Sequence, residues 1–556
     1  MKESRMSELL GTGVGRGVAH GPVLRMADPL GEPATTPLDG SADDAKQAVH
    51  DALAVVADDL NKRGQLAGGD AQAVLEAQAL MAQDPTLLDD VHTRIDGGTN
   101  PERAVYEAFG QFRDLLVQMG GYMGERAADL DDVAQRIIAK LRGVPAPGVP
   151  ESDTPFVLVA RDLAPADTAL LDLDKVLALV TRDGGPTSHT AILARAKGIT
   201  AVVGVSGADA LTDGVPVVVD AAAGTVVSEP DAALVAETER RIAERLAAAD
   251  APLTPGALAD GHTVPLLANL GSPADAAGAV ALGAEGVGLF RTEFLFLDAP
   301  SAPTVEQQTE SYRQLLAAFP GKKVVVRALD AGADKPLPFL TDKDEENPAL
   351  GRRGLRALRN HEEVLRDQLT ALAAADAATE ADLWVMAPMV SDAEETEYFV
   401  SLARELGIRT AGVMAEVPSL ALMAEQVFAS ADFVSVGTND LTQYTMAADR
   451  MLGTVASYQD PWHPAVLRLV AQLGAAGADA GKAVGICGEA AADPLLAVVL
   501  VGLGATTLSM TPAALADVRA ELGRYTLDQA REMAKAALAA STAATARSAA
   551  AAAHAA

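Results

Sequence analysis

Polar groups gather at the ends of five strand-like runs in the C-terminal half of the chain. Leu289-Phe290 is followed by Arg291-Thr292-Glu293, and a later run carries Arg327 and Asp330. Three others end in Glu416, in Asn439-Asp440 and in Cys487-Gly488-Glu489, and Arg450 lies shortly after Asp440. Glu416 and Asp440 come from consecutive runs and offer the one or two carboxylates with which Mg²⁺ is commonly held, its other positions going to water and phosphate oxygens. Arg291, Arg327 and Arg450 carry planar forks suited to bidentate contact with phosphate or carboxylate. The set describes a pocket for a small anion bearing both groups, whereas any one of these charges, taken singly, reads equally well as a solvated rim residue.

Cys487 is the only cysteine, which excludes an intramolecular disulfide and a cysteine-cluster metal site. In Gly485-Ile486-Cys487-Gly488-Glu489 the glycines allow close backbone approach to a ligand. The thiol there reads either as a small buried apolar group or as a neutral acid able to protonate a carbanion-like product. A second motif, Gly184-Gly185-Pro186-Thr187-Ser188-His189-Thr190-Ala191-Ile192-Leu193-Ala194-Arg195, follows the run Val176–Val180. A strand, a Gly-rich loop and a helix start would set hydroxyls and free N–H groups around a phosphate carried on His189. His262 and His463 have no comparable setting and read as structural.

These groups need a scaffold, and 556 residues with 49% apolar content suffice for two to four domains. A net charge of −32 has the wrong sign for nucleic acid or an anionic membrane. With no signal-like start and no bilayer-length apolar run, a cytoplasmic protein without membrane insertion is expected. Eight strand-like runs alternate with helical ones from Thr263 onward: Val264–Asn269, Gly286–Phe290, Lys323–Leu329, Leu383–Val390, Ala411–Glu416, Phe433–Gly437, Lys482–Gly488 and Ala505–Met510. This is the pattern of a parallel (β/α)8 barrel with its active site at the carboxyl ends of the strands. Upstream, Gly17–Leu24, Phe156–Ala160, Val176–Val180, Ala201–Val203 and Val215–Val219 predict a small α/β domain. Between Ser41 and Arg142, residues such as Val49, Leu53, Val56 and Leu60 recur at helical spacing, with breaks at Gly97-Gly98 and Gly120-Gly121. Three or four helices inserted as a bundle are expected there. Ala232 to Ala249 reads as a helical connector and the Ala-rich end, 536–556, as frayed helix or disorder.

Five motifs carry a resemblance: residues 184–195; Gly-Leu-Phe-Arg-Thr-Glu-Phe-Leu-Phe (288–296); Asn-Pro-Ala-Leu-Gly-x-Arg-Gly (347–354); Ser-Val-Gly-Thr-Asn-Asp-Leu-Thr-Gln-Tyr (435–444); and Gly-Ile-Cys-Gly-Glu (485–489). In order and spacing, from about Gly11 to Met510, the chain resembles enzyme I, the phosphoenolpyruvate-protein phosphotransferase family of the bacterial sugar phosphotransferase system. The resemblance implies that phosphoenolpyruvate binds with Mg²⁺ in the barrel and phosphorylates His189, which passes the group to the histidine phosphocarrier protein. It implies Glu416 and Asp440 as metal ligands. Arg291, Arg327, Asn439, Asp440 and Arg450 would surround phosphoenolpyruvate, with Arg353 behind it or on its phosphate. Cys487 would protonate the enolate, Thr168 would orient the His189 ring, and a homodimer would form through the barrel.

The fold class expected on this basis is α/β: a phosphohistidine swivelling domain (1–37 and 144–228) with an inserted α-helical, carrier-binding bundle (38–143). A linker helix (229–252) would act as the hinge before the phosphoenolpyruvate-binding (β/α)8 barrel (253–535) and the tail (536–556). Residues 32–140 hold twenty Asp and Glu against nine Lys and Arg, a face suited to steering a basic carrier. Pro186 and Arg352 depart from the family pattern, and neither removes a reacting group. A dikinase-like enzyme would need a large nucleotide-binding domain, for which this length leaves little room.

Overall fold

Short apolar runs, many of them rich in valine, set the strands of both halves of the chain. A computed structural model describes residues 7–15, 17–27, 30–67, 69–119, 121–144, 146, 148–150, 152–163, 171–185, 190–191, 194, 198–249, 252–296, 301–331, 337, 339–340, 345–450 and 452–555. His189, Thr168 and Pro186 lie outside them. The chain divides into two units, Met1–Ala243 and Glu244–Ala556.

In the first unit, strands β1 (Ser7–Leu10), β2 (Thr12–Val14), β3 (Val18–Arg25), β4 (Phe156–Ala160), β5 (Val176–Thr181), β6 (Ala201–Val203), β7 (Pro216–Asp220) and β8 (Thr225–Ser228) form one sheet in the order β1-β8-β7-β3-β4-β5-β6-β2. The run β3 to β6 is parallel and its flanks are antiparallel. Phe156 and Leu158 pack on one face of β4, Val157 and Val159 on the other, so both faces of the sheet are buried. Such double burial explains why the strand reads as a continuous apolar run.

Five helices stand between the parallel neighbours β3 and β4: α1 (Ala42–Ala67), α2 (Gly69–Ala82), α3 (Pro85–Asp96), α4 (Pro101–Met119) and α5 (Gly121–Arg142). The count exceeds the three or four expected because α2 and α3 are separated without a glycine. Pro85 occupies the first turn of α3, and the Asp84 carboxylate accepts from the N–H groups of Thr86 and Leu87. Val49, Leu60, Val105, Phe109 and Ile137 share the bundle core.

In the second unit, β9 (Leu266–Leu270), β10 (Val287–Phe290), β11 (Lys323–Arg327), β12 (Asp382–Ala387), β13 (Thr410–Ala415), β14 (Phe433–Val436), β15 (Ala483–Ile486) and β16 (Thr507–Met510) close into a parallel barrel in chain order. Side chains alternate across its wall. Val324, Val326, Val385, Val413, Val434 and Ile486 face the surrounding helices, whereas Val325, Met386, Met414, Phe433 and Cys487 form a separate cluster inside.

The Ala-rich end is not frayed. Residues Ala543–Ala555 form a helix beside the helix Leu527–Ala539, with Ala546 and Ala550 fully buried. Alanine carries the highest helix propensity, and its small side chain lets helices approach closely. The Arg547 guanidinium sits 5.5 Å from the centroid of the buried Trp462 ring, whose N–H donates to Asp493 Oδ2 at 2.7 Å. Asp493 Oδ1 in turn caps the helix Pro494–Gly502. Replacing Arg547 by Ala is expected to destabilise the second unit by about 0.5–1 kcal/mol, the worth of an exposed cation–π contact. Urea unfolding followed by tryptophan emission measures this, and an unchanged midpoint would deny the helix its anchoring role.

Candidate active site at the carboxyl end of the barrel

The alternation along β11 that turns Val325 inward also turns Arg327 inward, at the carboxyl end of the strand. Thr292, just past β10, donates its hydroxyl to the Arg327 carbonyl at 3.0 Å and fixes the level of the side chain. From Arg327 a chain of alternating charges runs across the barrel mouth. Glu293 Oε1 accepts from Arg327 Nη2 at 2.6 Å and from the Asp330 backbone N–H at 3.2 Å. Arg327 Nη1 lies 3.3 Å from Asp330 Oδ2. Asp330 accepts from Arg353 Nη2 at 3.0 Å and from its Nε at 3.3 Å. Arg353 Nη1 donates to Asp440 Oδ1 at 2.9 Å and to the Tyr444 hydroxyl at 3.2 Å, and Arg450 Nη1 stands 3.5 Å from Asp440 Oδ2.

Glu293, Arg327, Asp330, Arg353 and Asp440 are buried. Burial works against the charge on both arginines, yet the adjacent carboxylates outweigh it and hold their pKa values above the ordinary arginine range. Glu416 follows β13 and is also buried. Its Oε1 accepts from the backbone N–H of Met389 at 2.6 Å, and Met389 adopts a positive φ of 53° to present that group. Burial, and then the charges of Asp440 and Asp330, push the Glu416 pKa well up. At this mouth Arg327 Nε is buried with no hydrogen-bond partner among the described residues.

Cys487 sits inside the barrel just past β15. Its thiol donates to the Val436 carbonyl at 3.4 Å. Burial pushes its pKa up to about 11, with a hydrogen bond from Ser435 acting in the opposite sense. The carbonyl of Cys487 accepts from Asn269 Nδ2 at 2.9 Å, and Ser509 donates to Asn269 Oδ1 at 2.6 Å. Gly488 does allow a close backbone approach, to Thr438: a Cβ there would lie 1.8 Å from Thr438 Oγ1. Asn439 Oδ1 accepts from the N–H of Glu489 at 3.0 Å and so ties the loops after β14 and β15 together.

The structure thus brings Arg327, Arg353, Asp440 and Arg450 into one network, with Glu416, Asn439 and Cys487 around it. Arg291 is exposed, its backbone N–H bonded to the Leu270 carbonyl at 2.9 Å. Arg353 has Nε and both terminal nitrogens engaged by protein groups. Sequence reasoning did not single out Asn269, Tyr444, Ser435 or Ser509. Glu293 and Asp330 were visible as strand-end charges, but nothing in their spacing showed that they pair with arginines instead of meeting solvent.

Among the described residues no cluster of three or more His, Cys, Asp or Glu side chains is gathered as a metal cage. The donors present instead suit a hard cation that keeps water and substrate oxygens. Glu416 and Asp440 are a pair of buried carboxylates whose mutual repulsion a divalent cation would relieve.

Three family models match the chain: the PEP-utilising enzyme N-terminal domain over residues 10–126, the mobile domain over 152–224 and the PEP-binding domain over 246–527. The phosphoenolpyruvate-protein phosphotransferase of Streptomyces coelicolor is 56% identical over 534 residues, covering 96% of each chain. The chain belongs to the phosphoenolpyruvate-protein phosphotransferase family. The Bacillus subtilis member is 37% identical over 560 residues, covering 96% of this chain and 97% of its own. A solution structure of an enzyme I protein (nEIt) aligns with 42% of this chain and 98% of its own, at 29% identity and a TM-score of 0.38. In this phosphotransferase-family chain the PEP-binding match spans the whole charge network, and the mobile-domain match spans Thr168 and His189.

Removing Arg353 leaves Asp330 and Asp440 buried with less counter-charge. Arg353→Ala is therefore expected to cost about 3–5 kcal/mol in the second unit, and Arg353→Lys to recover only part of it, since one ammonium cannot span both carboxylates. Urea titration of the three proteins decides. A loss under about 1 kcal/mol for Arg353→Ala, the size expected of a solvated pair, would show the bridge to be dispensable.

Proposed function

We propose that this chain transfers the phosphoryl group of phosphoenolpyruvate to His189 and then to a histidine phosphocarrier protein, releasing pyruvate, as the first step of a sugar phosphotransferase system. The observation that carries this reading is the buried charge network, which leaves Arg327 Nε unpartnered at the end of the barrel that also holds the Cys487 thiol. A substrate with a phosphate and a carboxylate supplies the acceptors such a mouth lacks.

Arg291, Arg327, Arg450 and Asn439 hold the phosphate and carboxylate, while Arg353 keeps Asp330 and Asp440 in position. Glu416 and Asp440 would hold Mg²⁺, which when bound supplies charge neutralisation at the phosphate and carboxylate oxygens. The bond from phosphorus to the enol oxygen breaks as a bond to the His189 ring forms, with Thr168 orienting the ring. Positioning and charge neutralisation are most of what such a transfer needs. The enolate left behind takes the Cys487 proton at C3 to give pyruvate. A pKa pushed up to about 11 keeps that proton on sulfur at neutral pH.

The acidic helical insertion supports docking of a basic carrier, and Leu80 on α2 with Leu115 and Val117 on α4 are exposed apolar contacts for it. A homodimer through the barrel agrees with the exposure of Leu350, Leu422 and Met423. Among the described residues no helix is long and apolar enough to cross a membrane. A cytoplasmic place suits a protein that meets a soluble carrier.

Labelled phosphoenolpyruvate with Mg²⁺ and no nucleotide is expected to leave acid-labile phosphate on His189 and to release pyruvate. His189→Ala should take no label yet still bind phosphoenolpyruvate. Cys487→Ala should fold and turn over about 100-fold more slowly or worse, the worth of a placed general acid. Label that appears only when nucleotide is added would replace this reading with a dikinase-like one.

A further inference from the structure

Barrels of this kind are ordinarily filled along the axis by layers of bulky side chains. Here part of the middle layer is Ser435, Gly485 and Ser509, from β14, β15 and β16. These small groups line a cavity whose empty space, open mouth included, is about 270 Å³. Its other walls include Lys323, Trp384, Phe433 and Thr507, which stand at or near the amino ends of their strands. The cavity therefore opens at the barrel floor, opposite the charge network. Its lining mixes apolar side chains with the hydroxyls of Ser435, Thr507 and Ser509 and the Lys323 amine, and it has room for a single water.

Both ends of this space carry exchangeable protons. At the top, Ser435 pairs across the strands with Gly485, two residues before Cys487 on the wall that carries the thiol inside the barrel. At the floor, Lys323 Nζ lies 3.5 Å from the centroid of the Trp384 ring. Trp384 is held by Phe433, ring centroids 4.7 Å apart, and by donation of its N–H to Asp382 Oδ2 at 2.9 Å. Burial lowers the Lys323 pKa to about 8, with the Asp382 charge opposing. Such an amine gains and loses a proton readily near neutrality.

We propose that the cavity is the path by which Cys487 recovers its proton from the solvent at the barrel floor. The proposal rests on the reading of Cys487 as the proton donor to the enolate. The enolate takes the proton from S–H, leaving thiolate and pyruvate. The thiolate takes the hydroxyl proton of Ser435, Ser435 takes one from the cavity water, and that water takes one from the Lys323 ammonium. The neutral amine is reprotonated by bulk water, so one solvent proton enters per pyruvate and every group returns to its starting state. The thiol is thereby reset while pyruvate still covers the opposite mouth.

The test uses the full chain with Mg²⁺, phosphoenolpyruvate and pyruvate labelled in carbon and deuterated at C3. Exchange of carbon label into phosphoenolpyruvate reports the phosphoryl chemistry and shows that each variant is folded. Loss of deuterium per carbon exchanged reports how often a deuteron taken up by Cys487 escapes to water before it is returned. In Ser435→Ala and Lys323→Met that ratio is expected to fall at least several-fold while carbon exchange continues. Lys323→Arg should fall likewise, because a guanidinium keeps the charge over Trp384 but does not release its proton. Gly485→Ala should act as a plug, its Cβ 2.9 Å from Thr507 Oγ1 and 3.7 Å from Ser435 Oγ. An unchanged ratio in Ser435→Ala and both Lys323 variants would overturn the path alone. Carbon exchange at the normal rate in Cys487→Ala would instead remove the donor role on which the path depends.

Discussion

The second unit depends on keeping like charges apart in a buried space. Glu293, Arg327, Asp330, Arg353, Asp440 and Arg450 alternate in sign along one line of contacts, so each buried charge meets opposite charge on its neighbours. An isolated guanidinium or carboxylate at these depths would carry a desolvation penalty of several kcal/mol. The alternation offsets that penalty only while the backbone holds every partner in place. The barrel supplies such a backbone: Glu293 follows β10, Arg327 ends β11, and Asp440 and Arg450 follow β14. Tyr444 extends the constraint by donating to the Ala349 carbonyl while accepting from Arg353, which ties the segment around Ala349 to the network.

A network saturated in this way is rigid, and rigidity decides what chemistry it can support. Donors already aimed and desolvated need no reorganisation when a substrate's charge shifts, and this is where electrostatic catalysis gains most. Arg327 Nε, which has no partner among the described residues, and Glu416 are the exceptions to saturation at this mouth. Glu416 has a backbone N–H as partner, its neighbours Asp440 and Asp330 repel it, and Met389 adopts an uncommon backbone conformation to reach it. That imbalance is what the proposed cation would relieve, as the proposed substrate would supply an acceptor for Arg327 Nε.

The sequence revealed the barrel because its strands are short, largely apolar runs bounded by helical periodicity, and the eight expected runs lie within a few residues of β9 to β16. Strands β1, β2 and β8 were missed: each is three or four residues long and two lie at sheet edges, too short for a periodic signal. The Ala-rich end misled for a different reason. Composition alone does not say whether small side chains are exposed or packed, and Ala546 and Ala550 are packed. At the site, charged strand ends were legible but their pairing was not. Whether Asp330 faces solvent or Arg353 depends on a loop whose course no local pattern dictates, and Tyr444 reads as one more aromatic of a helix until that loop is in place.

The interior of the barrel shows the same limit and what lies beyond it. Ser435, Gly485 and Ser509 are unremarkable as strand residues, because a small side chain within a β-branched run carries no periodic signature. Pairing of β14, β15 and β16 sets them close, and only closure of the barrel turns their smallness into a space. Filling that space with branched side chains would improve packing and add stability at roughly 0.8 kcal/mol per buried methylene. The charge network cannot use the cavity, since it lies at the other end of the barrel. The neighbour that can is the Cys487 thiol, which is buried and set just past Gly485 in the same wall, beside the strand that carries Ser435. A buried acid that must act repeatedly needs a return route for its proton. A hydroxyl-bearing gap in an otherwise packed wall is the least structure that provides one.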